Sequence, residues 1–144
     1  MTAQRLPRAV VLDTNVVLDL LVFHDASTQP LAQALREGAL VWHATGSMRA
    51  ELQRVLGYPA LQSWLQRSGE AAPRVLAQFD RCAQVHPEVA AAGPRCDDPD
   101  DQKFVDLALA LRCLLLSKDG AVLRLRAALA GRGVTVAAKL SDAA

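Results

Sequence analysis

Four carboxylates in separate segments are the residues best suited to chemistry: Asp13, Glu51, Asp101 and Asp119. Carboxylates gathered within several ångströms repel one another, and without a counter-charge some of them retain protons. A hard divalent cation, Mg²⁺ or Mn²⁺, relieves that repulsion, because such ions take carboxylate and water oxygens and keep several waters beside a few protein ligands. One or two such ions can activate a water, orient a phosphodiester and stabilise the leaving oxygen of an in-line displacement. Each acid also has an ordinary reading. Asp13 and Asp101 stand where helix N-caps stand, Asp119 in Lys118-Asp119-Gly120 fits a turn or cap, and Glu51 fits a solvated helix face.

Whether the four meet depends on the elements that carry them. Ala9-Val10-Val11-Leu12 is a continuous apolar run ending on Asp13, the pattern of a buried parallel strand. Helices are predicted from Asn15 to about Val22 and from about Thr28 to Glu37, the second closed by Gly38. Ala39–Trp42 reads as a strand, and the spacing of Met48, Leu52, Val55 and Leu56 puts Glu51 on the helix that follows. Pro59 to Asp80 gives two helices broken near Ser68-Gly69, Gln84–His86 a brief strand, and Pro87–Pro99 a loop. A helix then starts at Asp100 or Asp101, followed by a buried strand Cys113–Leu116, a helix Asp119–Ala130, the Gly131-Arg132-Gly133 turn and a strand Val134–Val136.

Strands alternating with helices indicate an α/β fold, a three-layer α/β/α sandwich with a mostly parallel central sheet. Ligands of such sheets bind beyond the carboxyl ends of the strands. Asp13 and Asp119 follow two strand ends, Asp101 opens the helix that feeds the second of those strands, and Glu51 lies one turn into its helix. All four are expected on one rim, and capping alone does not explain that convergence.

The 144 residues suit one domain over 1–144, with 51% apolar but only 4% aromatic residues, so the core must be mainly Ala, Val and Leu. A net charge of +1 excludes bulk attraction to polyanions, leaving local patches as the route to nucleic acid. Arg49, Arg54, Arg124, Arg126 and Arg132 either line such a track or form solvated faces. Cys82, Cys96 and Cys113 lack the close pairs of zinc sites and read as core or loop thiols, consistent with a reducing cytoplasm. The basic N-terminus has only a short apolar run, broken by Asp13, so no leader is expected, and no stretch is long enough for a membrane span. His24, His43 and His86 are isolated from any Ser or Cys nucleophile and read as structural. Leu18, Leu21 and Val22 suit either a dimer surface or the core.

Val11-Leu12-Asp13-Thr14-Asn15-Val16 resembles the opening motif of PIN domains. Asp98-Pro99-Asp100-Asp101-Gln102-Lys103-Phe104 resembles the DPDDxKF signature of a branch holding VapC-like toxins of toxin–antitoxin systems. The resemblance runs through Glu51 in Met48–Leu52 and through Ser117-Lys118-Asp119, and so covers essentially the whole chain. It implies a fold similar to nucleases of the flap-endonuclease type and Mg²⁺- or Mn²⁺-dependent cleavage of RNA, single-stranded or structured. Carried over, Asp13, Glu51, Asp101 and Asp119 become metal ligands or hold metal-bound water, with Asn15 and Ser117 supporting them by hydrogen bonds. An antitoxin and a second copy of the chain are the implied protein partners. Within the acid run, Asp101 is preferred to Asp98 or Asp100, because it stands three before Phe104 and faces inward if Phe104 is core.

Two departures bear on activity. Lys118 replaces a usual Gly and either contacts phosphate or points to solvent, while Gly120-Ala121 replaces a common Lys-Asp and removes an acid. They motivate the rival reading, a non-catalytic PIN-like module that binds RNA or an antitoxin. A haloacid-dehalogenase phosphatase would need an acid where Asn15 stands, and a receiver domain an acidic pair near the first strand; neither layout is present.

Overall fold

Unbroken apolar runs form the central strands because helices cover both faces of the sheet. In the computed structural model, which describes residues 7–143, β1 spans Arg8–Leu12, β2 Leu40–Thr45, β3 Ala83–His86, β4 Leu114–Leu116 and β5 Thr135–Ala137. Residues 1–6, which bear on the expected absence of a leader, lie outside the described part. All strand pairs are parallel, in the order β3-β2-β1-β4-β5. Val10, Val11 and Leu12 of β1 and all of β4 are buried at consecutive positions, which requires cover above and below. The architecture is the expected three-layer α/β/α sandwich, with a sheet that is wholly rather than mostly parallel.

The covering helices are α1 (Thr14–Leu21), α2 (Gln29–Arg36), α3 (Gly46–Leu56), α4 (Pro59–Ser68), α5 (Ala72–Cys82), α6 (Gln102–Leu111), α7 (Gly120–Leu123) and α8 (Arg126–Ala130). Pro59 and Pro73 sit in the first turns of α4 and α5, where a missing N–H costs nothing. Gly69, at φ +73°, ends α4 in the left-handed conformation and makes the break expected near Ser68-Gly69. Trp42 of β2 meets Phe79 of α5 edge to face, with centroids 5.0 Å apart, which locks that helix to the sheet. No helix among the described residues is long and apolar enough to cross a membrane.

Three expectations need adjustment. The helix expected over Asp119–Ala130 is two, because the Leu125 N–H bonds to the Val122 carbonyl and tightens the turn at Arg124–Leu125. β2 runs on to Thr45, since its pairing with β3 extends to Thr45 opposite His86. Leu18, Leu21 and Val22 are buried in the chain's own core, which closes them to a second copy as a dimer surface.

The register places Leu115 at the centre of β4 opposite Val11, with no exposed surface. Leu115→Ala should therefore cost about 2–5 kcal/mol of stability, the range for emptying a packed leucine site. Urea unfolding followed by circular dichroism checks this, and a loss below about 1 kcal/mol would contradict a tightly filled sheet interior.

Candidate metal centre

The sheet order makes the gap between β1 and β4 its switch point, since the chain leaves β1 toward β2 and β3 and returns on the other side to β4 and β5. A crevice opens beyond the strand ends at such a point. Asp13 follows β1 directly, and its N–H donates to the Leu116 carbonyl at 3.0 Å, which continues the ladder to the rim. Asp13 is 2% exposed. One oxygen, Oδ1, accepts from the Val16 N–H at 2.9 Å and caps α1, while Oδ2 accepts from the Ser117 hydroxyl. Burial raises its pKa, against those two hydrogen bonds.

Ser117 is fully buried and does two jobs. Its Oγ donates to Asp13 and accepts from the Asp119 N–H at 3.1 Å, so one hydroxyl ties the ends of β1 and β4 together. Asp119 then caps α7 through Oδ1, which accepts from the Ala121 N–H at 2.8 Å. Asp98 opens the short 3₁₀ turn Pro99–Asp101 in the same manner, its Oδ1 accepting from the Asp100 N–H at 2.9 Å. The capping readings of Asp13 and Asp119 are thus correct in part. A cap uses one oxygen and aims the carboxylate, leaving the other oxygen for a second partner.

Asp101 behaves differently. It occupies the N-cap position of α6, yet its side chain makes no capping hydrogen bond. Its Oδ2 is buried and has no partner among the described residues. Ligand oxygens of Asp98, Asp101 and Asp119 lie within 4.8 Å of one another. Burial first, then the closeness and charge of Asp119, then the charges of Asp98 and Asp13, push the Asp101 carboxyl up to about 7. Asp98 therefore stands beside Asp101 in the group, whereas the position three before Phe104 had favoured Asp101 over Asp98 and Asp100. Asp100 lines the cleft but is outside the three-acid group.

Glu51 lines the same cleft, of about 180 Å³, with Asp13, Asn15, Asp98 and Asp101. It is already partnered: Oε2 accepts from the Thr14 hydroxyl, and Oε1 lies 3.2 Å from the Lys103 ammonium. Asn15 is exposed there, and its side chain makes none of the hydrogen bonds found among the described residues. Thr14, Gln102 and Lys103 escaped the sequence reasoning, although each directly follows an acid of a quoted motif or its neighbour. Gln102 fixes the loop carrying Asp98, its Oε1 accepting from the Cys96 N–H at 2.6 Å and its Nε2 donating to the Pro94 carbonyl at 3.1 Å.

Other candidates lie elsewhere. Lys118 is exposed, and its ammonium pairs with Asp19 of α1. Arg49 pairs with Asp80, Arg124 with Asp97, and Arg132 donates to the Ala92 carbonyl. His43 and His86 are not isolated from each other, Nδ1 and Nε2 being 2.5 Å apart across β2 and β3. All three cysteines are free, with Cys96 and Cys113 buried and Cys82 exposed.

The family model described as PIN domain matches residues 9–119, a span that begins in β1 and ends on Asp119. Among solved structures, the chain is similar to one chain of the crystal structure of VapBC2 from Rickettsia felis bound to a DNA fragment from their promoter. That match has 12% identity and a TM-score of 0.60, over 90% of this chain and 97% of the other. No curated protein matches the chain.

The raised Asp101 pKa fixes the sign of a pH effect. The folded state holds a proton there that the unfolded carboxyl, at 3.8, has released, so the stabilisation is complete below that value and lost as pH rises through about 7. Without metal, Asp101→Asn should gain in melting temperature relative to the parent between about pH 5 and about pH 8. Thermal melts in chelator check this; a difference that stays constant with pH would mean Asp101 is not desolvated among acids.

Proposed function

From a chain that belongs to the PIN-domain family, we propose a divalent-metal-dependent ribonuclease that hydrolyses phosphodiester bonds of single-stranded RNA and serves as the toxin of a toxin–antitoxin pair. The observation that carries the reading is the buried, unpartnered Asp101 Oδ2 among three converging carboxylates. An orphaned buried oxygen in an acidic group is costly to the fold alone and fits a cation. The donors are all hard oxygens, the set that Mg²⁺ and Mn²⁺ prefer. Asp98, Asp101 and Asp119 would hold the ion, with Asp13 beside them. When bound, the ion supplies charge against the phosphodiester and acidity for the attacking water.

The chain's own residues do the rest. Ser117 keeps Asp13 and Asp119 at a fixed separation. The caps on Asp13, Asp98 and Asp119 hold three carboxylates against rotation, so the site is organised before RNA arrives. Asp101 retains a proton near neutrality and must release it as a cation enters, so metal uptake should strengthen from about pH 6 to about pH 8. Lys118 supports the non-catalytic rival less than the sequence suggested, because its charge is spent on Asp19 rather than on the acids. An antitoxin as protein partner is supported by the likeness to a chain of a VapBC2 complex. A second copy of the chain completes the proposed partners.

With purified protein and an unstructured RNA, Mg²⁺- or Mn²⁺-dependent cleavage should be abolished by chelator and fall about a hundredfold or more in Asp101→Asn, the scale of losing a key electrostatic contact. Asp119→Asn and Asp98→Asn should also lose activity. RNA binding without cleavage under either ion would instead support the non-catalytic module. In bacteria, induction of the parent should arrest growth and Asp101→Asn should relieve it; equal growth with soluble parent protein would count against the toxin role.

A further inference from the structure

Both oxygens of Glu51 are satisfied by the chain itself, one by Thr14 and one by the Lys103 ammonium, so that its charge is balanced within the cleft. The Lys103 ammonium also donates to the Asp100 backbone carbonyl. A carboxylate and a backbone carbonyl converging on one point are oxygens that a hard cation takes. Here a resident ammonium has taken them. The Glu51 and Lys103 side chains are only 12% and 21% exposed, so this is a sheltered pair rather than a screened surface one. Among the described residues, the three-acid group at Asp98, Asp101 and Asp119 has no such internal cation and keeps a bare buried oxygen.

Phosphodiester hydrolysis can use two metal ions that clamp the attacking and leaving oxygens. We propose that this cleft takes one divalent cation, at Asp98, Asp101 and Asp119, and that the Lys103 ammonium, bridging Glu51 and the Asp100 carbonyl, fills the place of a second. The inference rests on the metal-dependent reading above. It gives Lys103 a positioning role: it holds Glu51 away from the ion and keeps a fixed positive charge between Glu51 and the Asp100 carbonyl. An ammonium has three N–H donors, of which two are used, leaving one for an incoming oxygen. Removing Lys103 would leave Glu51 as a sheltered, uncompensated charge, which is the condition that recruits a cation.

The test counts ions with Mn²⁺ alone, by calorimetric titration and by electron paramagnetic resonance of the free ion, using Asp101→Asn as the blank for unspecific binding. The parent should bind one Mn²⁺ per chain, Lys103→Arg one, Lys103→Met two, and Lys103→Met with Glu51→Gln one again. Two ions in the parent, or a single ion in folded Lys103→Met, overturns the proposal while leaving the metal-dependent reading intact. No ion in the parent overturns that reading and this inference with it. If Lys103→Met does not fold, Glu51→Gln alone decides: it should keep one Mn²⁺ at undiminished affinity, and loss of that ion would show Glu51 to be a ligand of the first site.

Discussion

Parallel pairing of β1 with β4 is the constraint on which the acidic cleft depends, because it places Asp13 and Ser117, 104 residues apart in the chain, within one hydrogen bond. The pairing is set by apolar residues on both strands, which are buried on both faces and so cannot shift by one position without reorganising the layers. Connections depart from these two strands in opposite directions across the sheet. The rim between them is therefore left open, and whatever polar residues end the two strands must share it. Ser117 makes that sharing specific: as donor to Asp13 and acceptor from the Asp119 N–H, its hydroxyl ties the two strand ends by a single buried atom.

The same geometry sets an electrostatic problem that local structure only partly solves. Three helix or 3₁₀ starts use Asp13, Asp98 and Asp119 as caps, and at Asp13 the cap hydrogen bond favours the charged carboxylate. Burial and mutual repulsion favour the neutral form. Asp101, which has no cap bond, is pushed up to about 7 by burial and by the acids around it. The fold tolerates this because the destabilising group stands at the rim of a sheet whose interior is filled by apolar side chains. Local conflict of this kind is characteristic of sites kept for binding rather than for stability.

Most of the fold could be read from the chain because the signals were redundant: continuous apolar runs for β1 and β4, helical spacing around Glu51, and glycines at Gly38 and Gly69 where left-handed backbone ends a helix. Strand-end position likewise brought Asp13 and Asp119 to one rim without knowledge of strand order. What escaped were side-chain choices that depend on distances across the sheet. Nothing in Lys118 reveals that it reaches Asp19, a buried acid on the apolar helix α1. The choice between Asp98 and Asp101 also lay beyond periodicity, since a proline-led 3₁₀ turn folds both toward Asp119. The break between α7 and α8 has no proline or glycine at Arg124–Leu125 to announce it.

The two lysines beside the acids show how charge is apportioned once these distances are fixed. Lys118 adjoins Asp119 in sequence, yet it turns to Asp19 and braces the loop after β4 against α1 from outside the cleft. Lys103 lies two residues beyond Asp101 and turns to Glu51 on the cleft wall. Each cation thus compensates an acid other than its neighbour in sequence. Had either paired with Asp101 or Asp119, an internal counter-charge would have quenched the three-acid group and left no electrostatic reason for a foreign ion to enter. By compensating Asp19 and Glu51, the lysines leave Asp98, Asp101 and Asp119 as the concentration of negative charge that the chain does not balance for itself. The place of unbalanced negative charge is therefore specified as much by where the protein's positive charges are committed as by where its carboxylates converge.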